Sequence, residues 1–320
     1  LHRQAFTASA PVRRSDSILI IGNGPSTAKL AEFGFHNLPP TIDTFGMGAA
    51  YRYFRDIGWW PNYYAWCDAK VVLSHQTAFQ QLIDDPAVST SAFYFSLPIS
   101  EHPRFHHIPH CSTGDFCFRK AVELGYRNIY LIGIEGDYVE ELPESRVLTD
   151  QEFENLGYAD LFPLFEQALP TKQESFDLFR QTLRIIERTP AQNPNYFFDG
   201  YQRAGDIYSL PRAFAHRNAW RKSADFASAH GANIVNLSES SKVEQFRKAS
   251  WEQFEKLLSA PTPPAEPFSP YGRPIETPVA LSTDGRRAAL AEAGRSPGDK
   301  LATLVIGVRF PAGDETRVRN

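Results

Sequence analysis

Cysteine is scarce in this chain. Only Cys67, Cys111 and Cys117 occur in 320 residues, and no two form a C-x-x-C pair. Three cannot build a disulfide framework, which points to a reducing compartment. Long apolar runs are also missing: none approaches the roughly 20 residues that cross a bilayer. Arg13, Arg14 and Asp16 interrupt any apolar start that would resemble a signal peptide. Nor does one sign of charge dominate. Lys and Arg number 33 against 37 Asp and Glu, a net charge of −4, with no general pull towards nucleic acid or anionic lipid. These absences leave a soluble, cytoplasmic reading. An apolar content of 42% suffices for one large domain or two modest ones. The first residue is Leu1 rather than Met, as expected of a piece cut from a longer chain.

What is present is an alternation. Residues 1–15 read as a lead-in, and from 16 to 260 β-rich runs alternate with helical stretches, the pattern of an α/β sheet with helices on both faces. "SILIIG", "TIDTFGM", "NYYAWCD", "SAFYFSL" and "NIYLIGIEG" read as strands, as does the later "ANIVNL". "TAKLAEFG", "GDFCFRKAVELG", "AFAHRNAWRKSADFASAHG" and "SKVEQFRKASWEQFEKLL" carry apolar residues at helical spacing. Residues 150–212 fall outside this repeat and read as a lid-like insertion, helical from Asp150 to about Arg188. Beyond, "APTPPAEPFSPYGRPIETP" marks a Pro-rich linker over 261–300. A fresh apolar run at 301–320 reads as the truncated start of a second domain, similar to the opening of family-2-type glycosyltransferases.

Two turns carry the functional signal. In "ILIIGNGPSTAKLAEFG", Gly22 and Gly24 let the backbone turn tightly and approach a ligand, and Pro25 suits a first helical position. Free amides at the helix start favour an anion such as phosphate, with Asn23 and Ser26 adding polar side chains. Thr27 stands where a dinucleotide fingerprint needs its third glycine, and no Gly-Lys-Ser/Thr of a P-loop follows. The second turn, "HCSTGDFCF", sets Ser112, Thr113 and Gly114 before another helix, where they either cap it or touch a ligand.

Together "ILIIGNGPS", "STGDFCFRKAVELGYRNIYLIGIEGDY" and "HRNAWRKSADFASAHGANIVN" resemble the metal-independent bacterial sialyltransferases of the bifunctional lipooligosaccharide type and related GNGPS-containing proteins of polysaccharide assembly. The likeness spans roughly residues 16–250. It implies a Rossmann-like, modified GT-A sheet and inverting transfer of an acidic sugar, sialic acid or Kdo-like, from a CMP donor to a glycan hydroxyl. It implies no cofactor or metal beyond that nucleotide sugar. The location implied is the cytoplasm, with peripheral association at the inner membrane face and a glycosyltransferase domain following. By the same resemblance Asn23 and Ser26 fall on the donor-binding turn, and Ser112, Thr113 and Gly114 on the segment that wraps the nucleotide. Asp68 stands for an asparagine at the third strand's end, and Tyr138 for a tyrosine that hydrogen-bonds the leaving phosphate. His216 falls on the general base, and Tyr196 or Tyr201 is the candidate for a second tyrosine. Gly48 departs from the family's donor-contacting asparagine, and "IEGDY" is one residue longer. A histidine with a pKa near 6.5 suits proton removal at neutral pH, and preorganised donors suit a departing phosphate.

Three segments offer other readings. "HPRFHHIPH" groups His102, His106, His107 and His110 without the spacing of a metal motif and reads as an extended polar loop near the cleft. Glu135 and Asp137 imitate a D-x-D metal motif. With Asp68 they are the ligands that an ATP- and Mg²⁺-dependent pterin pyrophosphokinase would use, a rival reading; a non-catalytic glycan-binding module is the other. "YRYFRDIGWWPNYYAW" reads as core packing beneath a lid rather than a nucleic-acid stacking platform.

Overall fold

Four apolar residues after Ser17 have every side chain buried, as a strand covered on both faces requires. In the structure, a computed structural model describing residues 13–164, 172–211 and 213–259, they form the centre of a parallel sheet. The described residues lie in one compact unit, Leu1–Ala265; a second, Glu266–Asn320, lies outside them. The expected linker 261–300, the domain start 301–320 and most of the lead-in fall outside the described residues.

The elements run β1 (Ser17–Ile21), α1 (Thr27–Phe33), β2 (Asp43–Met47), α2 (Tyr51–Asp56), β3 (Tyr63–Trp66), α3 (Ala69–Ser74) and α4 (Gln76–Asp84). Next come β4 (Ala92–Phe95), β5 (Phe105–His107), α5 (Thr113–Glu123), β6 (Asn128–Ile132), β7 (Ser145–Val147), α6 (Asp150–Asn155) and α7 (Lys172–Gln181). The last are β8 (Leu183–Ile186), β9 (Ile207–Ser209), α8 (Ala213–Ala229), β10 (Asn233–Asn236), β11 (Arg247–Lys248) and α9 (Trp251–Ser259). Eight strands make one sheet in the order β11-β10-β6-β1-β2-β3-β4-β5, every pairing parallel. From β1 the chain first builds outward through β2 to β5, then returns to the other side of β1 with β6. The boundary of β1 and β6 is therefore a topological switch point, where loops at the strands' carboxyl ends diverge and leave a crevice.

Strand side chains alternate between faces. Leu19, Ile21, Tyr64, Trp66, Phe93 and Phe95 enter one buried cluster, which also holds residues of α1, α2, α4 and α9. Ile18, Ile20, Phe45, Tyr63, Ala65 and Tyr94 enter the other, with α5 and α8. The expected α/β sheet with helices on both faces is the fold observed.

Three details differ from expectation. The insertion is not a helical lid alone: β7, β8 and β9 form a three-stranded antiparallel sheet carrying α6 and α7. Phe176, Phe179, Leu183 and Ile186 keep a helix-like spacing, but the chain changes period after α7 and "LRII" pairs on both edges. This sheet docks on α3, where Ile207 N–H donates to Ser74 Oγ at 2.9 Å and Tyr158 Oη to the Lys70 carbonyl at 3.0 Å. The helix expected over 241–258 starts only at Trp251. Lys242 N–H donates to the Glu135 carbonyl at 2.6 Å, pinning the segment to the end of β6, and β11 pairs with β10. The histidine loop contains β5, which closes one edge of the sheet. Among the described residues no helix is long and apolar enough to cross a membrane.

Candidate functional site

A cavity of about 520 Å³ opens at the carboxyl ends of the parallel strands. Gly22, Asn23 and Gly24 follow β1, Gly48 follows β2, Asp68 follows β3, and residues 133–138 follow β6. Ser112, Thr113 and Gly114 come from the start of α5, His216 from α8, and Tyr196 and Tyr201 from the insertion. Eleven of the twelve residues singled out in the sequence thus meet in one cavity; Ser26 does not line it.

The first turn is built differently from the expectation of a phosphate cradle. Gly22 and Gly133 are in backbone contact: a Cβ on Gly22 would overlap the Gly133 carbonyl, and the Gly22 N–H donates to the Ile132 carbonyl at 2.7 Å. Glycine here serves the junction of β1 with β6. At the start of α1, the Ser26 N–H donates to Glu135 Oε1 at 2.8 Å. The anion that the helix start favours is already supplied by the protein, and a phosphate brought there would face a carboxylate. The Ser26 hydroxyl accepts from the Gly133 N–H at 2.9 Å and bonds Ser238 Oγ at 2.7 Å, so this side chain is internal strutting rather than a ligand contact.

The second turn is open. α5 has eleven residues, and its N-cap Ser112 makes no side-chain cap bond. Asp115, in the first turn, is held by Arg119 Nε at 2.9 Å and by Ser223. The Thr113 hydroxyl accepts from the Cys67 N–H at 3.0 Å and ties the turn to the end of β3. The helix start faces the cavity with its partial positive charge. Beside it, His216 Nδ1 lies 3.5 Å from Ser112 Oγ, a loose contact, and its ring lies 5.4 Å from that of Tyr138. Burial holds the His216 pKa below the usual histidine value, partly offset by the charge of Asp68. Burial, with the Glu135 charge adding, pushes the Tyr138 phenol up to about 12. A neutral imidazole and a protonated phenol therefore flank the helix start at neutral pH.

Tyr201 has a task other than the phosphate contact expected of it. Its hydroxyl accepts from Asn23 Nδ2 at 3.0 Å and from the Ala49 N–H at 3.1 Å, and its ring stacks on Tyr196 at 3.6 Å and 17°. Gly48 has φ +68°, and a Cβ there would overlap the Tyr201 hydroxyl and crowd Asn23 Nδ2. Tyr201 thus braces the first turn through space that a side chain at 48 would fill. Asn23 lines the cavity, and its Oδ1 is buried without a hydrogen-bond partner among the described residues.

Several lining residues had no mark in the sequence reading. Asp206 is held from behind the lining by Arg52, which forks onto it at 2.5 and 2.8 Å and joins α2 to the insertion. His75 bonds Tyr51 Oη at 3.1 Å, and burial, partly offset by Asp206, holds its pKa down at about 4. Lys70 is buried in the first turn of α3 and donates to Ser209 Oγ at 2.6 Å. A lysine two residues after an N-cap aspartate opposes the helix dipole, and that misfit was the available signal. Of the four clustered histidines only His110 lines the cavity; its Nδ1 accepts from the Ala69 N–H at 3.3 Å. His106 stacks on Tyr94 at 5.0 Å, and His102 Nδ1 accepts from the Arg104 N–H at 3.1 Å. Asp137 is exposed at the rim, while Glu135 turns inward to α1. Among the described residues no three His, Cys, Asp or Glu side chains are grouped as metal ligands.

No protein-family model matches this chain, and no curated protein matches it. A solved structure of the sialyltransferase CstII from Campylobacter jejuni, in complex with the substrate analogue CMP-3FNeuAc, is similar at TM-score 0.37 and 16% identity, over 73% of this chain and 86% of that one. Similarity at this level bears on neither the site nor its substrate.

Proposed function

We propose that this chain is an inverting glycosyltransferase of bacterial surface-polysaccharide assembly, moving an acidic keto-sugar from CMP to a glycan hydroxyl. One observation carries the reading. A half-buried histidine, its pKa lowered by desolvation, stands 3.5 Å from the N-cap hydroxyl of a helix whose start opens into the switch-point cavity.

In this reading His216 takes the proton of the acceptor hydroxyl as its oxygen attacks the anomeric carbon from the face opposite the nucleotide. Nδ1 faces Ser112, which leaves Nε2 for that proton. The bond from the anomeric carbon to the phosphate oxygen breaks, and the electron pair departs with CMP. Backbone amides at the start of α5 and the Tyr138 hydroxyl meet the charge that develops on the phosphate. Thr113 fixes the turn to β3, and Asn23, braced by Tyr201, lines the cavity where the nucleotide or sugar would sit. One phosphate leaves rather than two, so less charge needs compensation than with a nucleoside diphosphate. The α1 start, occupied by Glu135, takes no part.

The experiment is a thermal-shift panel of CMP, CDP, UDP, GDP and ATP, each with and without Mg²⁺, followed by turnover of His216→Ala. Binding to the folded state alone raises the melting temperature by mass action. CMP should stabilise most, without metal, and His216→Ala should retain that shift while losing transfer. Stabilisation by ATP with Mg²⁺ alone, or unchanged turnover in the variant, rejects the reading.

A further inference from the structure

Tyr138 sits in a segment with little of its own to hold it. Residues 134–140 form neither helix nor strand, and Asp137, Val139 and Glu140 are exposed, so burial does not anchor them. Gly136 turns the chain at φ +67°, where a side chain would strain the backbone. The Gly136 carbonyl accepts from Arg217 Nη1 at 3.3 Å, and the Leu142 N–H donates to Tyr208 Oη at 3.4 Å. Between those points the backbone makes hydrogen bonds at Val139 alone, among the described residues. The Tyr138 hydroxyl makes none among them, so its tip does not fix the ring.

Both bonds at Val139 go to one side chain of the insertion. The Val139 N–H donates to Asn195 Oδ1 at 2.7 Å, and Asn195 Nδ2 donates to the Val139 carbonyl at 2.7 Å. The carboxamide engages donor and acceptor of a single residue, as a neighbouring strand would. Asn195 is fixed in turn: its N–H donates to Asn193 Oδ1 at 3.1 Å, and Asn193 Nδ2 donates to Gln202 Oε1 at 2.9 Å. All three carboxamides are buried, which is costly unless each is paired, and the chain of bonds ends on the backbone beside Tyr138. The same loop secures the first turn, where the Phe197 N–H donates to the Asn23 carbonyl at 3.0 Å.

We propose that Asn195 is the positioning residue for Tyr138, holding the backbone beside the phenol so that its hydroxyl meets the departing phosphate next to His216. The inference rests on the glycosyltransferase reading above and adds the residue that sets its phosphate donor. Asn195 acts through Tyr138 and needs no contact with the substrate. A donor stabilises developing charge only when it is preorganised, and a misplacement of about 1 Å costs on the order of 100-fold.

The test is a double-mutant cycle on the full chain, read as CMP release from CMP-sialic acid and CMP-Kdo with water as acceptor. Tyr138→Phe should slow turnover by about 100-fold. Asn195→Ala should slow it by about tenfold or more, with the donor KM within about threefold of wild type. In the Tyr138→Phe background the same change should cost less than about twofold, because no hydroxyl is left to misplace. If Asn195→Ala does not fold, Asn195→Asp enters the same cycle with the same expectation; it keeps an acceptor for the Val139 N–H but opposes the carbonyl with a carboxylate. Equal losses in the two backgrounds overturn the role, as does a raised KM with kcat unchanged, which would make Asn195 a direct donor contact. Undiminished turnover in Asn195→Ala overturns it too. A wild type that releases CMP from neither donor, or a Tyr138→Phe as fast as wild type, strikes at the underlying enzyme assignment and removes this role with it.

Discussion

Gly114 lies under the indole of Trp220, so close that a Cβ on the glycine would stand 2.6 Å from Trp220 Cζ2. The contact sets how near α8 approaches α5, and Trp220 is one helical turn beyond His216. Glycine at 114 therefore controls the distance between the candidate base and the helix start it works beside. Gly114→Ala should cost about 1–3 kcal/mol through overpacking. If α8 yields by about 1 Å, transfer should fall on the order of 100-fold. Trp220→Phe in the same chain should recover part of the activity by freeing space. Turnover of the single variant at wild-type level would show that the helix spacing is irrelevant.

The bracing role of Tyr201 makes a separate prediction. Tyr201→Phe keeps the stack on Tyr196 but removes the acceptor for Asn23 Nδ2 and the Ala49 N–H. Leaving buried donors unsatisfied should cost about 1–3 kcal/mol in a urea melt. Nucleotide affinity should fall less than it does on Asn23→Ala, because the phenol acts through the asparagine. A Tyr201→Phe variant as stable as wild type, with affinity lost in full, would make the hydroxyl a direct ligand contact.

How much of this was legible beforehand depends on the range of the cause. The strands around the cleft announce themselves because burial on both faces leaves unbroken apolar runs such as "ILII" and "FYF". The cleft followed from the two turns at the ends of those strands. The occupant of each turn did not, because Glu135 reaches Ser26 from 109 residues away and Tyr201 reaches Asn23 from 178. Local sequence shows a helix start that wants an anion; only the register of β1 against β6 shows that the anion is internal. The insertion failed for another reason. Apolar residues at 176, 179, 183 and 186 satisfy a helical period as well as a helix followed by a strand, and the pairing that decides lies in β7 and β9.

Glu135 separates two chemistries. If it serves only to cap α1, Glu135→Gln keeps the shape and an acceptor for the Ser26 N–H but loses the charge opposite the dipole. Stability should drop by about 1 kcal/mol. CMP binding should survive, and no dependence on Mg²⁺ should appear or vanish. Were Glu135 a metal ligand of a nucleotide-triphosphate enzyme, the same change would abolish the Mg²⁺-dependent shift with ATP. Thermal shifts of the variant with CMP and with ATP and Mg²⁺ distinguish the two.

His75 gives the fold a pH dependence of definite sign. It is buried beside Tyr51 and Asp206, and burial holds its pKa at about 4 in the folded chain against an ordinary value of 6.5. Between those values the unfolded chain binds the proton and the folded chain does not, so stability rises with pH across this window. The contribution is complete above 6.5 and is lost progressively as pH falls towards 4, by about 3 kcal/mol at most. His216, also lowered by burial, tilts stability the same way and shifts the acidic limb of the transfer profile below 6.5. His75→Gln can still meet the Tyr51 hydroxyl but cannot titrate. Its urea midpoint should therefore vary less than that of wild type from pH 7 to pH 4, while the acidic limb of transfer, set by His216, stays in place. Equal slopes for the two proteins would place the acid sensitivity elsewhere in the fold.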